Sequence, residues 1–107
     1  MEELNIKIAT EFNDKLGGRW IKLGPYSGEE FYDKLLLPRY KLAKERDTLL
    51  HIYIDGTKGY GSSFLDQSFG ELARKFGVPE VQTKLVFHTD FFAWNVKYLK
   101  EEIWAKI

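Results

Sequence analysis

A glycine- and serine-rich stretch, residues 56–63, carries the residue types best suited to chemistry in this chain. Glycines let the backbone approach a ligand closely, and free amides at the start of a helix can hold an anion. The spacing differs from that of a P-loop, because Gly61 is followed by Ser62 where such a loop has lysine. The third glycine of the dinucleotide fingerprint is also missing. The candidate anion loop consists of Asp55, Gly56, Thr57, Lys58 and Gly59.

The two serines of this stretch stand where a helix is expected to begin. A serine hydroxyl at such a position accepts a backbone amide hydrogen that otherwise lacks a partner, so we expect Ser62 or Ser63 to cap the helix. A phosphate on the same hydroxyl would place negative charge at the positive end of the helix dipole. Capping and phosphorylation are compatible interpretations of this position.

The other polar residues give little indication of an enzyme. Asp55 and its neighbours are similar to a phosphatase loop that uses an aspartate as nucleophile. Tyr53 occupies the position of that aspartate. Asp55 is therefore interpreted as a turn residue that binds nearby backbone amides. His51 and His88 both lie in predicted strands that could bring them together, and the chain has no cysteine. With no nucleophile and base at recognisable spacing, we expect no catalytic residue, no metal and no cofactor.

The overall composition excludes several classes of partner. Sixteen basic side chains balance sixteen acidic ones, so no net positive field attracts nucleic acid or an acidic membrane surface. The lack of cysteine is typical of a reducing compartment, and no apolar run is long enough for a transmembrane helix. We therefore expect a single cytoplasmic domain over residues 1–107 that binds neither nucleic acid nor membrane.

Two alternating runs near the start of the chain predict a β-hairpin. Apolar and polar residues alternate from Leu4 to Ile8 and again over residues 19–23, which is the period of a half-buried strand. The Asn, Asp and Gly residues at 13–18 tolerate the backbone angles of a turn.

A helix is expected to follow this hairpin. Ser27 is placed to cap it, with Glu30 able to reach back to the cap amide. Pro38 lacks an amide hydrogen and should bend or divide the helix near Leu37, before it ends near Arg46.

The rest of the chain completes an α/β pattern. Residues 49–54 form an apolar run typical of a central strand covered on both faces. Residues 62–76 have helical periodicity, closed by Gly77 and Pro79, and residues 84–88 form a further strand. A last helix should then begin at a cap formed by Thr89 or Asp90. The predicted order is β-β-α-β-α-β-α, a central mixed sheet of about four strands with three helices.

The last helix carries more aromatic residues than one buried stripe needs. Phe91, Trp94, Tyr98 and Trp104 are core residues in one interpretation and a partner-binding patch in the other, because Trp and Tyr are favoured at interfaces. Self-association through this helix is compatible with either interpretation.

The order of these motifs resembles the STAS-like domain family of small bacterial proteins, distant relatives of the anti-sigma factor antagonists. The resemblance runs from about Arg19 to Phe87, and its most specific phrase is Gly-Tyr-Gly-Ser-Ser-Phe-Leu at residues 59–65. It implies a STAS-like α/β fold and a protein-interaction module with no enzymatic activity of its own. The other matching segments are residues 24–31, 35–38, 52–58 and 69–72.

In the antagonists that the family is similar to, a serine at the start of the helix after a central strand is phosphorylated by a partner kinase with a histidine-kinase-like ATPase fold. Phosphorylation there breaks the partner complex. Ser62 matches the modified serine and Ser63 its neighbour, while Gly61 replaces the preceding aspartate and Phe64 the following glycine. The resemblance thus implies a phosphorylation-gated module, with Ser62 and Ser63 as candidate phosphorylation sites. The expected partner-binding residues are Tyr60, Gly61, Ser62, Ser63, Phe64, Asp66 and Gln67.

Overall fold

A computed structural model of the chain describes residues 3–107. Its sheet has three strands, all parallel, with the central strand flanked by the other two. The expected central strand and the α/β class are confirmed, whereas the four-stranded mixed sheet is not found among these residues. The strands are β1 (Leu4–Lys7), β2 (Leu50–Tyr53) and β3 (Leu85–His88).

The predicted second strand at residues 19–23 is wrong. Ile21–Leu23 form a turn of 3-10 helix, and the backbone before it pairs with the following helix start instead of with β1. The amides of Gly28 and Glu29 donate to the carbonyls of Gly18 and Arg19, at 2.8 and 3.0 Å. The alternating pattern was misleading, because its apolar side chains, Trp20, Ile21 and Leu23, are largely exposed.

Three long helices and two short ones surround one side of the sheet. Each long helix contains a π segment of five residues, in which one backbone turn is wider than an α turn. The helices are α1 (Ile8–Glu11), α2 (28–46, with its π segment Tyr32–Leu36), α3 (62–76, with Asp66–Gly70), α4 (Val78–Lys84) and α5 (93–103, with Leu99–Ile103), followed by a 3-10 turn at Trp104–Lys106.

The start of α2 largely follows the prediction from sequence. The Ser27 hydroxyl accepts the amide of Glu30 at 3.0 Å, which confirms the cap. The Glu30 carboxylate, however, accepts the amide of Tyr26, one residue before the expected one. The π segment ends at Leu36, directly before Leu37 and Pro38, and the helix then continues without a break to Arg46, its predicted end.

Two helix ends differ from the prediction. Gly77 ends α3, but Pro79 lies in the first turn of a further helix, α4, that the sequence pattern did not indicate. The helix α5 begins at Ala93, later than expected, and the Thr89 hydroxyl accepts the amide of Phe92 at 2.8 Å without capping the helix itself. No helix of the described residues is long and apolar enough to cross a membrane.

The hydrophobic core lies between the helices and one face of the sheet. Ile6, Leu50 and Ile52 are fully buried and point to this face, and Leu85 is nearly so. The core is rich in aromatic rings, with Phe31 packed against Phe64 and against Phe69. A core of this size needs neither disulfide nor metal to support a fold of about 100 residues.

The other face of the sheet is open, so the expectation that the central strand is covered on both faces is wrong. Lys7, Tyr53 and His88 form one row across the three strands. The Tyr53 ring stacks on His88 with centroids 4.5 Å apart, and the Lys7 ammonium lies 5.9 Å from the Tyr53 centroid. Polar and aromatic contacts thus replace a second helical layer here.

The starts of α2 and α3 touch backbone to backbone. A Cβ atom on Gly28 would lie 2.6 Å from the carbonyl oxygen of Phe64 and 3.2 Å from the Cβ of Gln67. The absence of a side chain at Gly28 therefore sets the position of the first turn of α3.

We predict that Gly28→Ala destabilises the fold by about 1–3 kcal/mol, because the added methyl group forces the two helix starts apart. Urea unfolding followed by circular dichroism measures this change. Gly18→Ala is the matched control, since a Cβ there meets nothing within 4 Å. Equal stability of the two variants would contradict the close contact.

Candidate functional site

The candidate site lies at the carboxyl edge of the parallel sheet. The loop after β2 runs over residues 54–61, directly into α3, and the loop after β3 lies beside it. Ligands and partners of open α/β sheets tend to occupy this edge.

Asp55 ties these two loops together. Its carboxylate accepts hydrogen bonds from the Thr89 hydroxyl and from the amide of Asp90, the latter at 2.7 Å. The hydrogen bond from Thr89 and the two backbone amides, Asp90 and Phe91, lower the pKa of Asp55. Asp55 does bind backbone amides, but they belong to the loop after the neighbouring strand and not to its own turn.

The glycine stretch itself is a tight connection held by contacts with the segment after β1. Gly56 and Gly59 have positive φ, 99° and 150°, and a Cβ on Gly56 would lie 2.9 Å from the Cβ of Ala9. The amide of Lys58 donates to the Asp14 carbonyl at 2.7 Å, so it is not free for an anion. The conformational freedom of these glycines serves the turn.

The side chains of Tyr60 and Phe64 hold the loop from its core side. The Tyr60 hydroxyl donates to the Ile54 carbonyl at 2.7 Å, and burial raises the pKa of Tyr60. The Tyr60 ring packs edge-on against Phe92. Phe64 has no exposed surface. Its side chain therefore supports the predicted partner-binding surface and does not line it.

The two serines begin α3 without capping it. Gly61 is the N-cap residue, and no side chain in the described part of the chain caps this helix. The prediction that Ser62 or Ser63 acts as the cap is therefore wrong. Ser62 is exposed and Ser63 is half-buried. Ser62 therefore lies at the start of the helix with its side chain exposed to solvent.

An ion-pair network lies one helical turn beyond Ser62. Asp66 accepts Arg19 at 2.6 Å and Arg74 at 3.0 Å, on different carboxylate oxygens. Burial alone would raise the pKa of Asp66, but the hydrogen bonds from both guanidinium groups lower it. Arg74 also donates to Glu71 at 2.9 Å. Asp66 thus holds the segment around Arg19 against α3.

Sequence reasoning missed both arginines. Arg19 is 47 residues from Asp66, so no local spacing relates them. Arg74 lies eight residues after Asp66 across a π segment, which removes the usual helical spacing signal. Gln67, the last predicted partner-binding residue, is half-buried, with its Cβ close to Gly28.

Two depressions meet at Ser62. A charged cleft of about 310 Å³ lies on one side of it, and an aromatic groove of about 240 Å³ lies on the other. The charged cleft is lined by Arg19, Asp66, Arg74, Glu102 and Lys106, with Tyr98, Ile103 and Ile107 beside them. The aromatic groove is lined by Tyr60, Leu65, Trp94, Asn95 and Tyr98.

The aromatic residues at 91–104, in and around α5, divide between the two interpretations of the sequence. Trp104 is buried, and its indole nitrogen donates to the Phe69 carbonyl at 3.0 Å. Phe91 and Trp94 are 82% and 69% exposed, and Trp94 stacks on Tyr98 with centroids 5.5 Å apart. Such exposed rings beside a groove are typical of a docking surface.

The two histidines come together, but on the open face of the sheet. His51 Nδ1 lies 2.7 Å from His88 Nε2, and His51 Nε2 lies 2.8 Å from a Glu3 carboxylate oxygen. Neither histidine is hydrogen-bonded to a serine among residues 3–107. Within the same range, no group of three acidic or histidine side chains is placed to hold a metal ion.

The fold and this edge define an α/β domain whose exposed serine begins the helix after the central strand. A family model for the STAS-like domain of unknown function (DUF4325) matches residues 27–89. The match covers more than half of the chain, so the chain belongs to this family of STAS-like domains. Neither a curated protein nor a solved structure matches the chain.

We predict that Asp55→Asn destabilises the protein most at neutral pH. The lowered pKa of Asp55 means that its stabilising effect is full above the ordinary aspartate pKa of about 3.9 and is lost as the pH falls through the folded-state pKa. The stability difference between wild type and variant should therefore shrink in acid. Urea unfolding between neutral and acidic pH measures it, and a pH-independent difference would contradict the assignment.

Proposed function

We propose that this STAS-like domain is a regulatory protein-interaction module without enzymatic activity, which binds a protein partner through the surface around Ser62. The observation that carries the proposal is the exposed Ser62 hydroxyl at the junction of the aromatic groove and the charged cleft. A partner seated there would cover the serine, so a modification of that residue would act on the contact directly.

The chemistry of this surface suits a protein partner. Trp94 and Tyr98 offer large, rigid apolar area beside polar groups, the combination that contributes most to binding energy at interfaces. Asp66 and its two arginines offer charges at the rim, where they steer association and select partners. The proposed contact residues are Tyr60, Gly61, Ser62, Ser63, Asp66, Gln67, Trp94 and Tyr98, with Phe64 supporting them from the core.

Phosphorylation of Ser62 would gate this contact. A phosphoserine carries close to two negative charges at neutral pH, and a partner covering the groove would have to desolvate them. The similarity to the anti-sigma factor antagonists supports a partner with a histidine-kinase-like ATPase fold that also transfers the phosphate. The domain would then exchange partners according to its phosphorylation state, within the cytoplasm.

A second candidate function is the binding of a small anionic ligand or nucleotide by the loop at residues 59–63. The observation that favours it is the uncapped start of α3, which leaves the first backbone amides without a side-chain partner. Titration with inorganic phosphate and with a nucleoside triphosphate, followed by amide NMR signals of residues 59–64, tests it. Unchanged signals at millimolar ligand would exclude this function.

We predict that Ser62→Asp weakens partner binding by at least about tenfold, whereas Ser62→Ala leaves both binding and stability nearly unchanged. Because Ser62 does not cap α3, its hydroxyl is dispensable for the fold. A pull-down from the native lysate identifies partners of the wild type, and calorimetry with the purified partner measures the variants. Equal affinity of all three proteins would refute the gating.

We further predict that Trp94→Ala reduces affinity for the same partner by at least about tenfold, since truncating a central aromatic residue of an interface commonly costs 2 kcal/mol or more. Leu23→Ala is the control, because Leu23 is 72% exposed but does not line the groove. Light scattering of both variants tests self-association as the other use of this surface. Full affinity in Trp94→Ala would place the partner elsewhere.

A further inference from the structure

The charged cleft beside Ser62 brings cationic side chains next to the serine. Ser62 and Asp66 are four residues apart on α3, so their side chains lie on one face with Cβ atoms about 5–6 Å apart. Both line the cleft of about 310 Å³, together with Arg19, Arg74 and Lys106. Two carboxylates, Asp66 and Glu102, line the same cleft. A third, Glu71, pairs with Arg74, so three carboxylates balance the three cations.

The two arginines of the cleft differ in how many of their nitrogens donate hydrogen bonds. Arg74 donates from three nitrogens: Nε to Glu71, Nη1 to the Asp66 carboxylate and Nη2 to the Asp66 carbonyl. Arg19 donates from Nη1 alone, to Asp66, among the hydrogen bonds within residues 3–107. A guanidinium group has five N–H donors, so Arg19 retains capacity for a second acceptor.

Arg19 is also connected to an exposed apolar segment. Its guanidinium carbon lies 6.0 Å from the ring centroid of Trp20, and Ile21 and Leu23 follow in the same 3-10 turn. The backbone of Arg19 is fixed by the amide of Glu29, which donates to its carbonyl. A change in the partner of the Arg19 side chain would therefore alter its contact with the Trp20 ring while the Arg19 backbone stays in place.

We propose that Arg19 is the intramolecular receptor of a phosphate on Ser62, which draws its guanidinium away from Asp66 and repositions the adjoining Trp20. This inference rests on the proposed function, because it concerns the phosphorylated form of the same site. It gives the phosphate a second effect: besides placing charge at the groove, it changes the surface around Trp20, Ile21 and Leu23.

The competition favours the phosphate on physical grounds. A phosphate offers three acceptor oxygens and close to two negative charges, whereas Asp66 offers one charge and keeps Arg74 after losing Arg19. The planar guanidinium group can bind two phosphate oxygens at once, while its present bond to Asp66 uses one nitrogen. The Arg19 side chain keeps 30% of its surface exposed, so its guanidinium group is accessible to a second acceptor.

The test uses the full chain with phosphoserine installed at position 62 by genetic encoding, so it requires neither kinase nor partner. The second ionisation of the phosphate is followed by 31P NMR during a pH titration. Contact with Arg19 should lower its pKa by about one pH unit relative to the same chain unfolded in urea. Arg19→Gln should abolish most of this difference, and Arg19→Lys should keep part of it, since lysine retains the charge but not the fork.

The matched control is Arg39→Gln, because Arg39 pairs with Glu11 away from this cleft and should leave the phosphate titration unchanged. The indole signal of Trp20 gives a second readout: phosphorylation should shift it in the wild type and not in Arg19→Gln. Circular dichroism confirms that each variant is folded. A phosphate that titrates identically in the wild type and in folded Arg19→Gln would overturn the inference, and so would a Trp20 signal that phosphorylation leaves unchanged in the wild type.

The titration and the binding measurements distinguish failure of this inference from failure of the proposed function. Partner binding that ignores phosphorylation would refute the gating while the titration still identifies Arg19 as the receptor. If phosphorylation abolishes partner binding but the phosphate titration does not depend on Arg19, the gating stands and the role of Arg19 as receptor is refuted.

Discussion

The order of the three parallel strands determines most of what this domain can do. Both crossovers step in the same direction, from β1 to β2 and from β2 to β3. Since right-handed crossovers that step one way carry their helices to one side, all the helical packing falls on a single face. The loops that follow the strands meet at the carboxyl edge, where Asp55 joins two of them. The opposite face is left to polar and aromatic side chains such as Tyr53 and His88.

Within that frame, two carboxylates join segments of the candidate site that are far apart in the chain. Asp66 connects α3 to a segment 47 residues earlier in the chain, and Asp55 connects two loops 34 residues apart. The partly exposed ion pairs of Asp66 with Arg19 and Arg74 contribute little to stability on their own. Their value lies in being exchangeable: another anion can take over a guanidinium group without disturbing the buried core beneath it.

Local signals in the sequence were reliable where the chemistry is local. The Ser27 cap, the end of α2 at Arg46 and the central strand at residues 50–53 all follow from neighbouring residues. The strand expected at residues 19–23 failed, because alternation shows only that a segment can be extended and not that a partner strand is free. The serine cap of α3 failed because Gly61 already occupies the cap position. The pairing of Asp66 with Arg19 is set by tertiary structure, which no spacing reveals.

The π segments affect how this chain is to be compared with its relatives. Each of the three long helices contains one, at Tyr32–Leu36, Asp66–Gly70 and Leu99–Ile103. A π segment accommodates one residue more than a regular α-helix while keeping the side chains before and after it on their original faces. A relative shorter by one residue can therefore be aligned with its gap inside such a segment. A gap anywhere else in the same helix would turn the remaining side chains by about 100° and assign core positions to the surface.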